Sequence, residues 1–217
     1  MKINAMMRGD YALPSRTWRF RLPDDRQVTY LTKEEVERFF KAIPGERARD
    51  RLLFDLIYRH GLRRLEAVRL LKRYIQGERI WIERLKGGIS GEYPLHPATI
   101  RLITTFFNME NFSENPYLLT SRQSKESGHM ATSTVYMHFR KYAQKANLPM
   151  NKQHVHILRH SIAVHLMNAG WGAADVQDWL GHRRITSTMI YARVSNKRRE
   201  ENYARIKESD EIARTEW

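Results

Sequence analysis

The sequence predicts a mainly α-helical domain with a small antiparallel three-stranded β-sheet. Apolar residues recur at intervals of three and four through most of the 217-residue chain, which is typical of amphipathic helices. The segment YIQGERIWIERLKGGISGEYPLHP (74–97) instead alternates apolar and polar residues between glycines. This pattern is typical of short strands joined by tight turns.

The first helix is expected to begin after Thr32. Thr32 and Glu35 have the spacing of a capping box, in which each side chain bonds the backbone N–H of the other residue. Val36, Phe39 and Phe40 then follow at helical spacing and predict an apolar face.

The remaining helices follow the same apolar period. They are predicted at 47–59, 63–71, 97–109, 132–146, 156–169, 173–180, about 186–192 and about 196–214. Gly61 separates the helix that ends at residue 59 from the next one, because glycine commonly ends helices. Within the β segment, Ile80 and Ile82 predict the inward face of one strand.

The composition favours a nucleic-acid partner. The formal net charge is +14, and such an excess is typical of proteins that bind a polyanion, although a merely basic soluble protein is the alternative. The chain contains no cysteine, which excludes disulfides, thiolate zinc sites and cysteine nucleophiles. No run approaches the ~18 apolar residues of a membrane span. We therefore expect a cytoplasmic, nucleoid-associated protein without a membrane partner.

Periodicity and charge divide the chain into three parts. Residues 1–29 lack a sustained period, residues 30–195 form the predicted domain, and residues 196–217 form a C-terminal helix or tail. The stretch 200–217 holds three basic and six acidic residues. It is either solvated or docks on a basic surface of its own or a neighbouring subunit.

The N-terminal part is a basic and aromatic arm. Arg16, Arg19 and Arg21 alternate there with Trp18 and Phe20. Such an arm either lies along DNA, with its planar groups against sugars or bases, or packs on the domain as a strap.

The segment HVHILRHSIAVH (154–165) contains four histidines and an arginine. His156, Arg159 and His160 lie at i, i+3 and i+4 and so share one helix face. They suit a metal site, a polar seam or a phosphate cradle, since a guanidinium fork matches two phosphate oxygens. Zinc is disfavoured, because Arg159 brings a like charge and the helix offers no carboxylate. No metal or other cofactor is expected.

Other positions could join this cluster. Arg63 starts a helix with Glu66 three residues later, and a carboxylate there can hold the guanidinium. Lys86 lies on a glycine-flanked turn, where it either reaches into a cleft or is an ordinary solvated lysine. His182 follows a helix end, and Tyr191, nine residues later, would by itself be an ordinary core residue.

Taken in order, these motifs resemble the catalytic domain of the tyrosine recombinase (phage integrase) family. The matching motifs are G-L-R (61–63) with Glu66, the turn Lys86, H-I-L-R-H (156–160), L-G-H (180–182) and Tyr191 within TSTMIYARV. Each motif alone is weak evidence, but their order and spacing together are specific. The resemblance covers residues 30 to about 195.

The resemblance implies a DNA transesterification without a cofactor. Tyr191 would attack a phosphodiester, leaving a 3′-phosphotyrosyl bond and a free 5′-hydroxyl. The other implied roles are phosphate binding by Arg63, Arg159 and His182, acceptance of the phenolic proton by His156, and protonation of the leaving oxygen by Lys86. Glu66 and His160 would support these groups. The DNA contacts would come from Arg64, Arg183 and Arg184.

Family members usually carry a separate N-terminal DNA-binding domain, whereas about 29 residues precede the domain here. In this the chain resembles the short, single-domain fimbrial-switch invertases. The arm, an accessory DNA-bending protein or a partner subunit would compensate. The resemblance also implies a homo-oligomer, a tetramer, on double-stranded DNA and a monomer when free. Residues 196–217 would then either dock on another subunit or pack on their own chain.

Three functions remain open on the sequence alone. The first and favoured one is a site-specific recombinase, which would act as an integrase, invertase or resolvase. The second is a relaxing topoisomerase that uses the same tyrosine chemistry. The third is a DNA-binding protein that retains the fold without cutting DNA.

Overall fold

The computed structural model describes residues 28–109, 114–120 and 128–192. Its helices are α1 Lys33–Lys41, α2 Ala48–Arg59, α3 Arg64–Val68, α4 Pro97–Met109, α5 Thr132–Lys145, α6 His156–Asn168, α7 Ala173–Leu180 and α8 Thr186–Ala192. Its strands are β1 Ile75–Gln76, β2 Arg79–Ile82 and β3 Gly91–Pro94, and short 3-10 turns cover Lys72–Tyr74 and Met150–Lys152. Arg16, Arg19 and Arg21 of the predicted arm and the predicted tail 196–217 lie outside the described residues.

The predicted capping box starts α1. Thr32 Oγ1 accepts a hydrogen bond from the Glu35 backbone N–H at 3.2 Å, and Glu35 Oε2 accepts one from the Thr32 N–H at 2.8 Å. Lys152 Nζ lies 2.7 Å from the same Glu35 oxygen and so ties the start of α1 to the segment before α6. The helix therefore begins where local sequence chemistry satisfies its free N–H groups.

The three-stranded antiparallel sheet is confirmed, with strand order β1-β2-β3. Ile80 pairs with Tyr93, and Ile82 pairs with Gly91 across β2 and β3. Ile80, Ile82 and Tyr93 are buried, as the alternation predicted, while Trp81 points outward and is 44% exposed. The inward phase of β2 continues past the strand to Arg84, which is also buried.

Helix α3 ends at Val68 rather than at the predicted residue 71. Beyond it, the chain pairs with a distant segment: the Leu118 N–H donates to the Leu70 carbonyl at 2.8 Å, and the Lys72 N–H donates to the Pro116 carbonyl at 2.9 Å. These long-range bonds replace the bonds of a continued helix, and local periodicity does not reveal them.

Helix α6 connects two clusters of buried side chains. Its Ile157 and Leu158 belong to the larger core, which also contains α1, α2, the sheet, α4 and α5. Its Ala163 and Val164 belong to a smaller cluster with residues of α7 and with Tyr191 of α8. Arg159 and His160 thus lie at the junction between the two clusters. Among the described residues, no helix has the length and apolarity that a membrane span requires.

Ser161 fastens the start of the domain to α6. Its Oγ accepts a hydrogen bond from the Leu31 N–H at 2.8 Å and donates one to the Ile157 carbonyl at 2.7 Å, and the side chain is fully buried. We predict that Ser161→Ala, which leaves the buried Leu31 N–H without its acceptor, lowers the free energy of unfolding by about 1–3 kcal/mol. Chemical denaturation followed by circular dichroism measures this change.

Ser133→Ala is the matched control, because Ser133 is exposed on α5. It should change the free energy of unfolding by less than about 0.5 kcal/mol. Equal effects of the two substitutions would contradict the role given to Ser161.

Candidate active site

Arg63 stands at the N-terminal boundary of α3 and is bound to Glu66 through both backbone and side chain. The Arg63 N–H donates to Glu66 Oε2 at 2.9 Å, and Arg63 Nη1 lies 2.5 Å from Glu66 Oε1. The Glu66 side chain is fully buried, whereas that of Arg63 is 27% exposed. The capping geometry of α3 therefore also fixes the direction of a partly accessible guanidinium.

Three guanidinium groups share the Glu66 carboxylate. Arg84 Nη1 lies 3.2 Å from Glu66 Oε2 and Arg159 Nη1 lies 4.0 Å from it, in addition to the contact with Arg63. Burial alone raises the pKa of Glu66, but hydrogen bonding by Arg63 and the charge of Arg84 outweigh it and lower that pKa. One carboxylate thus faces three cations, and the cluster keeps an excess of positive charge.

Arg159, on α6, joins two distant parts of the chain. Its Nη1 donates to the Gly61 carbonyl and its Nη2 donates to the Leu180 carbonyl at 3.0 Å. The side chain is 1% exposed. Burial, followed by the charges of Arg63 and Arg84, lowers the pKa of Arg159 to about 9. Arg159 nevertheless stays charged at neutral pH.

His182 follows the end of α7 and contacts α8. Gly181 caps α7 in the left-handed conformation with φ of 64°, which glycine adopts without strain. His182 Nδ1 lies 2.9 Å from Thr188 Oγ1, and both side chains are buried. Burial, then the charges of Arg159 and Arg63, lowers the pKa of His182 to about 4. The ring is therefore neutral at pH 7.

The Tyr191 phenol meets His160 inside the smaller cluster. The phenolic oxygen lies 2.9 Å from His160 Nδ1, and Tyr191 is 2% exposed. Burial raises the pKa of Tyr191, while the charges of Arg159 and Arg63 oppose that rise. Burial and neighbouring His154 and Arg159 lower the pKa of His160 to about 4. A neutral phenol therefore rests against a neutral imidazole.

His156, which was expected to accept the phenolic proton, lies at the start of α6. It is the first residue of α6, its side chain is exposed, and its ring meets the His160 ring edge-on with centroids 4.6 Å apart. Desolvation, then the charges of His160 and Arg159, lowers the pKa of His156 even though solvent reaches the side chain. The ring within hydrogen-bond distance of the phenol is that of His160, one turn further along α6.

The turn that carries Lys86 rests against the end of α7. Lys86 is exposed and has φ of 57°, and the Ile89 N–H donates to the Gly181 carbonyl at 3.2 Å. The turn therefore holds Lys86 near the turn that carries His182. Exposed arginines flank the site at positions 64, 183 and 184. Within the described ranges, no group of three or more metal-binding side chains is found.

Arg84 is the functional candidate that sequence reasoning missed. Its side chain is fully buried and contacts Glu66. A signal was present, because residues 80, 82 and 84 share the inward phase of one strand, and an arginine on that face requires buried partners. The sequence could not show which acceptors satisfy it.

Known proteins match this arrangement of motifs. The model of the phage integrase family matches residues 29–198, a range that includes all the positions described above. The chain belongs to the phage integrase family. Tyrosine recombinase XerA of Pyrococcus furiosus is 32% identical over 169 residues, which cover 77% of this chain and 58% of the relative. The chain thus spans less than two thirds of that relative.

Solved structures of family members share the fold. The crystal structure of XerA recombinase aligns with a TM-score of 0.71 at 20% identity, over 89% of this chain and 68% of that chain. XerH site-specific recombinase, solved bound to its difH substrate before cleavage, aligns with a TM-score of 0.68 at 25% identity, over 82% and 54%. These alignments confirm the predicted fold of a tyrosine recombinase catalytic domain.

Glu66 is expected to be essential for the stability of the guanidinium cluster. We predict that Glu66→Gln lowers the free energy of unfolding by about 3–5 kcal/mol at pH 7, because three buried or partly buried cations lose their shared anion. The folded-state pKa of Glu66 is lowered, so its contribution is complete above the unfolded value of 4.5 and is lost as pH falls through the folded value. Denaturation at several pH values should show wild type and variant converging in acid.

Glu92→Gln serves as the control, since the Glu92–Arg79 pair is about half exposed. It should change the free energy of unfolding by at most about 1 kcal/mol. A Glu66 variant as stable as this control at pH 7 would contradict the shared-carboxylate arrangement.

Proposed function

We propose that the protein is a site-specific DNA recombinase that cuts and rejoins strands through a 3′-phosphotyrosyl bond at Tyr191. The observation that carries this proposal is the convergence of Arg63 and Arg159 on one buried carboxylate, with the Tyr191 phenol within hydrogen-bond distance of His160, the residue that follows Arg159 on α6. An excess of cations beside a phenol suits a phosphodiester, because negative charge develops on the phosphorus oxygens as the phenol attacks.

The proposed substrate is double-stranded DNA, and the proposed location of the protein is the nucleoid. The net charge of +14 supports this, as do the exposed arginines at 64, 183 and 184 around the cluster. XerH, a similar recombinase, is bound to a difH substrate in its crystal structure. The contacts made by the three exposed arginines would be to backbone phosphates, which position the duplex but carry no sequence information.

In the proposed cleavage step, the Tyr191 oxygen bonds to phosphorus while the bond to the 5′-oxygen breaks. Arg63 and Arg159 hold the non-bridging oxygens, and neutral His182 donates a further hydrogen bond. Lys86 gives a proton to the departing 5′-oxygen, which its turn near His182 allows it to approach. A 5′-hydroxyl from another strand can then attack the phosphotyrosyl bond and release the Tyr191 phenol. Each of the two transfers breaks one phosphoester bond and forms another, so their number is conserved.

We assign the acceptance of the phenolic proton to His160 rather than His156. The 2.9 Å separation from Tyr191 supports His160, since a general base must lie within hydrogen-bond reach of its proton. With a pKa of about 4, His160 is a weak base for a phenol whose pKa is raised. The proton would therefore leave only as the new bond to phosphorus forms, and exposed His156 would face the DNA.

Covalent trapping tests the proposed function. The substrates are nicked duplexes with randomised sequence around the nick. When the nick lies beside the cleaved phosphate, cleavage releases a short fragment that diffuses away. The strand cannot then be rejoined, and cleavage becomes irreversible. We predict that wild-type protein accumulates a denaturation-resistant DNA adduct and that Tyr191→Phe accumulates none, because only the phenol can bond to phosphorus. Denaturing gel electrophoresis measures the adduct, and sequencing of the recovered DNA identifies the target.

Adduct formation by Tyr191→Phe would show that another residue is the nucleophile. No adduct from folded wild-type protein would instead favour a DNA-binding protein of the same fold that does not cut.

Substitutions of His156 and His160 on α6 should differ in their effect on the rate of adduct formation. We predict that His160→Ala slows single-turnover cleavage by about 10²–10⁴-fold, the usual contribution of a positioned general base. His156→Ala should slow it by a smaller factor, because its exposed ring is not the group that bonds the phenol. Quenched time courses with the recovered duplex give both rates. A larger effect of His156→Ala would identify His156 as the proton acceptor.

We also propose that strand exchange requires a homo-oligomer, a tetramer, on DNA. Apolar side chains exposed on and beside α8 support a subunit contact there: Ile185 is 39%, Met189 45% and Ile190 42% exposed.

Deleting residues 200–217 should abolish exchange between paired sites on a plasmid and spare single-strand cleavage. Unaltered exchange by the truncated chain would remove this role. Relaxation of plasmids without exchange by the full chain would indicate a topoisomerase.

A further inference from the structure

Arg84 is a buried cation that takes no part in the proposed chemical steps. It lies two residues before Lys86, on the hairpin that joins β2 to β3. Its Nη1 donates to Glu66 Oε2 at 3.2 Å and to the Gly61 carbonyl at 3.4 Å. Its Nη2 donates to the His60 carbonyl at 2.9 Å and the Trp179 carbonyl at 2.7 Å. Such a set of acceptors indicates that Arg84 links these segments structurally.

Arg84 and Arg159 join the same two segments. Each guanidinium donates to the loop at residues 60–61 and to the C-terminal end of α7 at residues 179–180. The loop leads directly into Arg63, and the end of α7 leads directly into His182. The relative position of these two groups therefore depends on a pair of guanidiniums, of which Arg159 comes from α6 and Arg84 from the hairpin.

The packing around Arg84 leaves no space for adjustment. A Cβ atom built on Gly181 would lie 2.7 Å from Arg84 Cγ and 2.8 Å from its Nε, and one built on Gly88 would lie 2.8 Å from Arg84 Cβ. The Nε is buried and finds no hydrogen-bond partner in the described part of the chain, since Gly181 covers it. The Tyr93 ring packs against the guanidinium, with the ring centroid 5.2 Å from Arg84 Cζ.

We propose that Arg84 is a positioning residue, which sets the spacing between Arg63 and His182 and holds the Lys86 turn against them. The proposal rests on the proposed recombinase function, because it concerns the geometry of that site. Arg84 touches no reacting atom. It acts through Glu66 and through the carbonyls of His60, Gly61 and Trp179.

The shape of the guanidinium is essential to this role. A lysine keeps the charge but presents one nitrogen, which cannot span acceptors on three segments as a planar fork does. A methionine has similar length and fills the space, but it removes both the charge and the hydrogen bonds. Comparing the two substitutions therefore separates loss of the fork from loss of the charge.

Single-turnover cleavage of the duplex recovered by trapping is the test, with Arg79→Met as control. Arg79 lies on the same hairpin but is 51% exposed. At saturating duplex we expect Arg84→Lys to cleave about 10-fold and Arg84→Met about 100-fold more slowly, because small misplacements of reacting groups cost this much. The Kd for the duplex should stay within about 3-fold, since both Nη atoms of Arg84 already donate to two protein acceptors each. The control rate should stay within about 2-fold.

Histidine NMR adds a measurement of the Arg84 charge that does not depend on the cleavage rate. The charge of Arg84 contributes, after burial, Arg159 and Arg63, to the lowered pKa of His182, and Glu66 opposes it. Arg84→Met should therefore raise the pKa of His182 towards 6.5, and Arg84→Lys should leave it unchanged. Should the methionine variant fail to fold, the lysine variant decides the question.

A lysine variant that is folded and cleaves at the wild-type rate would overturn the positioning role while leaving the recombinase function intact. A wild-type protein that forms no adduct would remove the recombinase function, and the positioning role with it. Slower cleavage by Arg84→Lys with unchanged duplex affinity supports the positioning role.

Discussion

The arrangement of the site depends on one buried carboxylate that is shared by three guanidiniums. Glu66 fixes Arg63 through the cap of α3 and attracts Arg84 and Arg159 from two other segments. A single anion cannot neutralise three cations, so a net positive charge remains at the proposed phosphate site. The same excess contributes to the low pKa of Arg159 and His182 and opposes the burial that raises the pKa of Tyr191. Glu66 thus holds together the cations whose excess charge lowers these pKa values.

The fold brings these groups together through α6. One end of the helix packs in the larger core and the other in the smaller cluster, so the residues between them, Arg159 and His160, face the junction. Arg159 reaches the loop after α2 and the end of α7, and His160 reaches Tyr191 on α8. Distant positions in the sequence become neighbours because each contacts a fixed position on this helix.

Local patterns predicted much of this structure. The capping box at Thr32, the alternation of Ile80 and Ile82 and the three-stranded sheet follow from short-range chemistry and are present. The end of α3 and the partner of Tyr191 depend on contacts between residues more than 30 apart, which no local period encodes. Arg84 lies between these cases: its inward phase was visible, but its four acceptors come from three separate segments.

The shared anion site can be tested directly by NMR of the arginine side chains during titration with a short DNA duplex. We predict that the guanidinium resonances of Arg63 and Arg159 shift together, with a single dissociation constant, and that Glu66→Gln abolishes this common response. Separate dissociation constants for the two arginines, or an unchanged joint response without the Glu66 carboxylate, would contradict it.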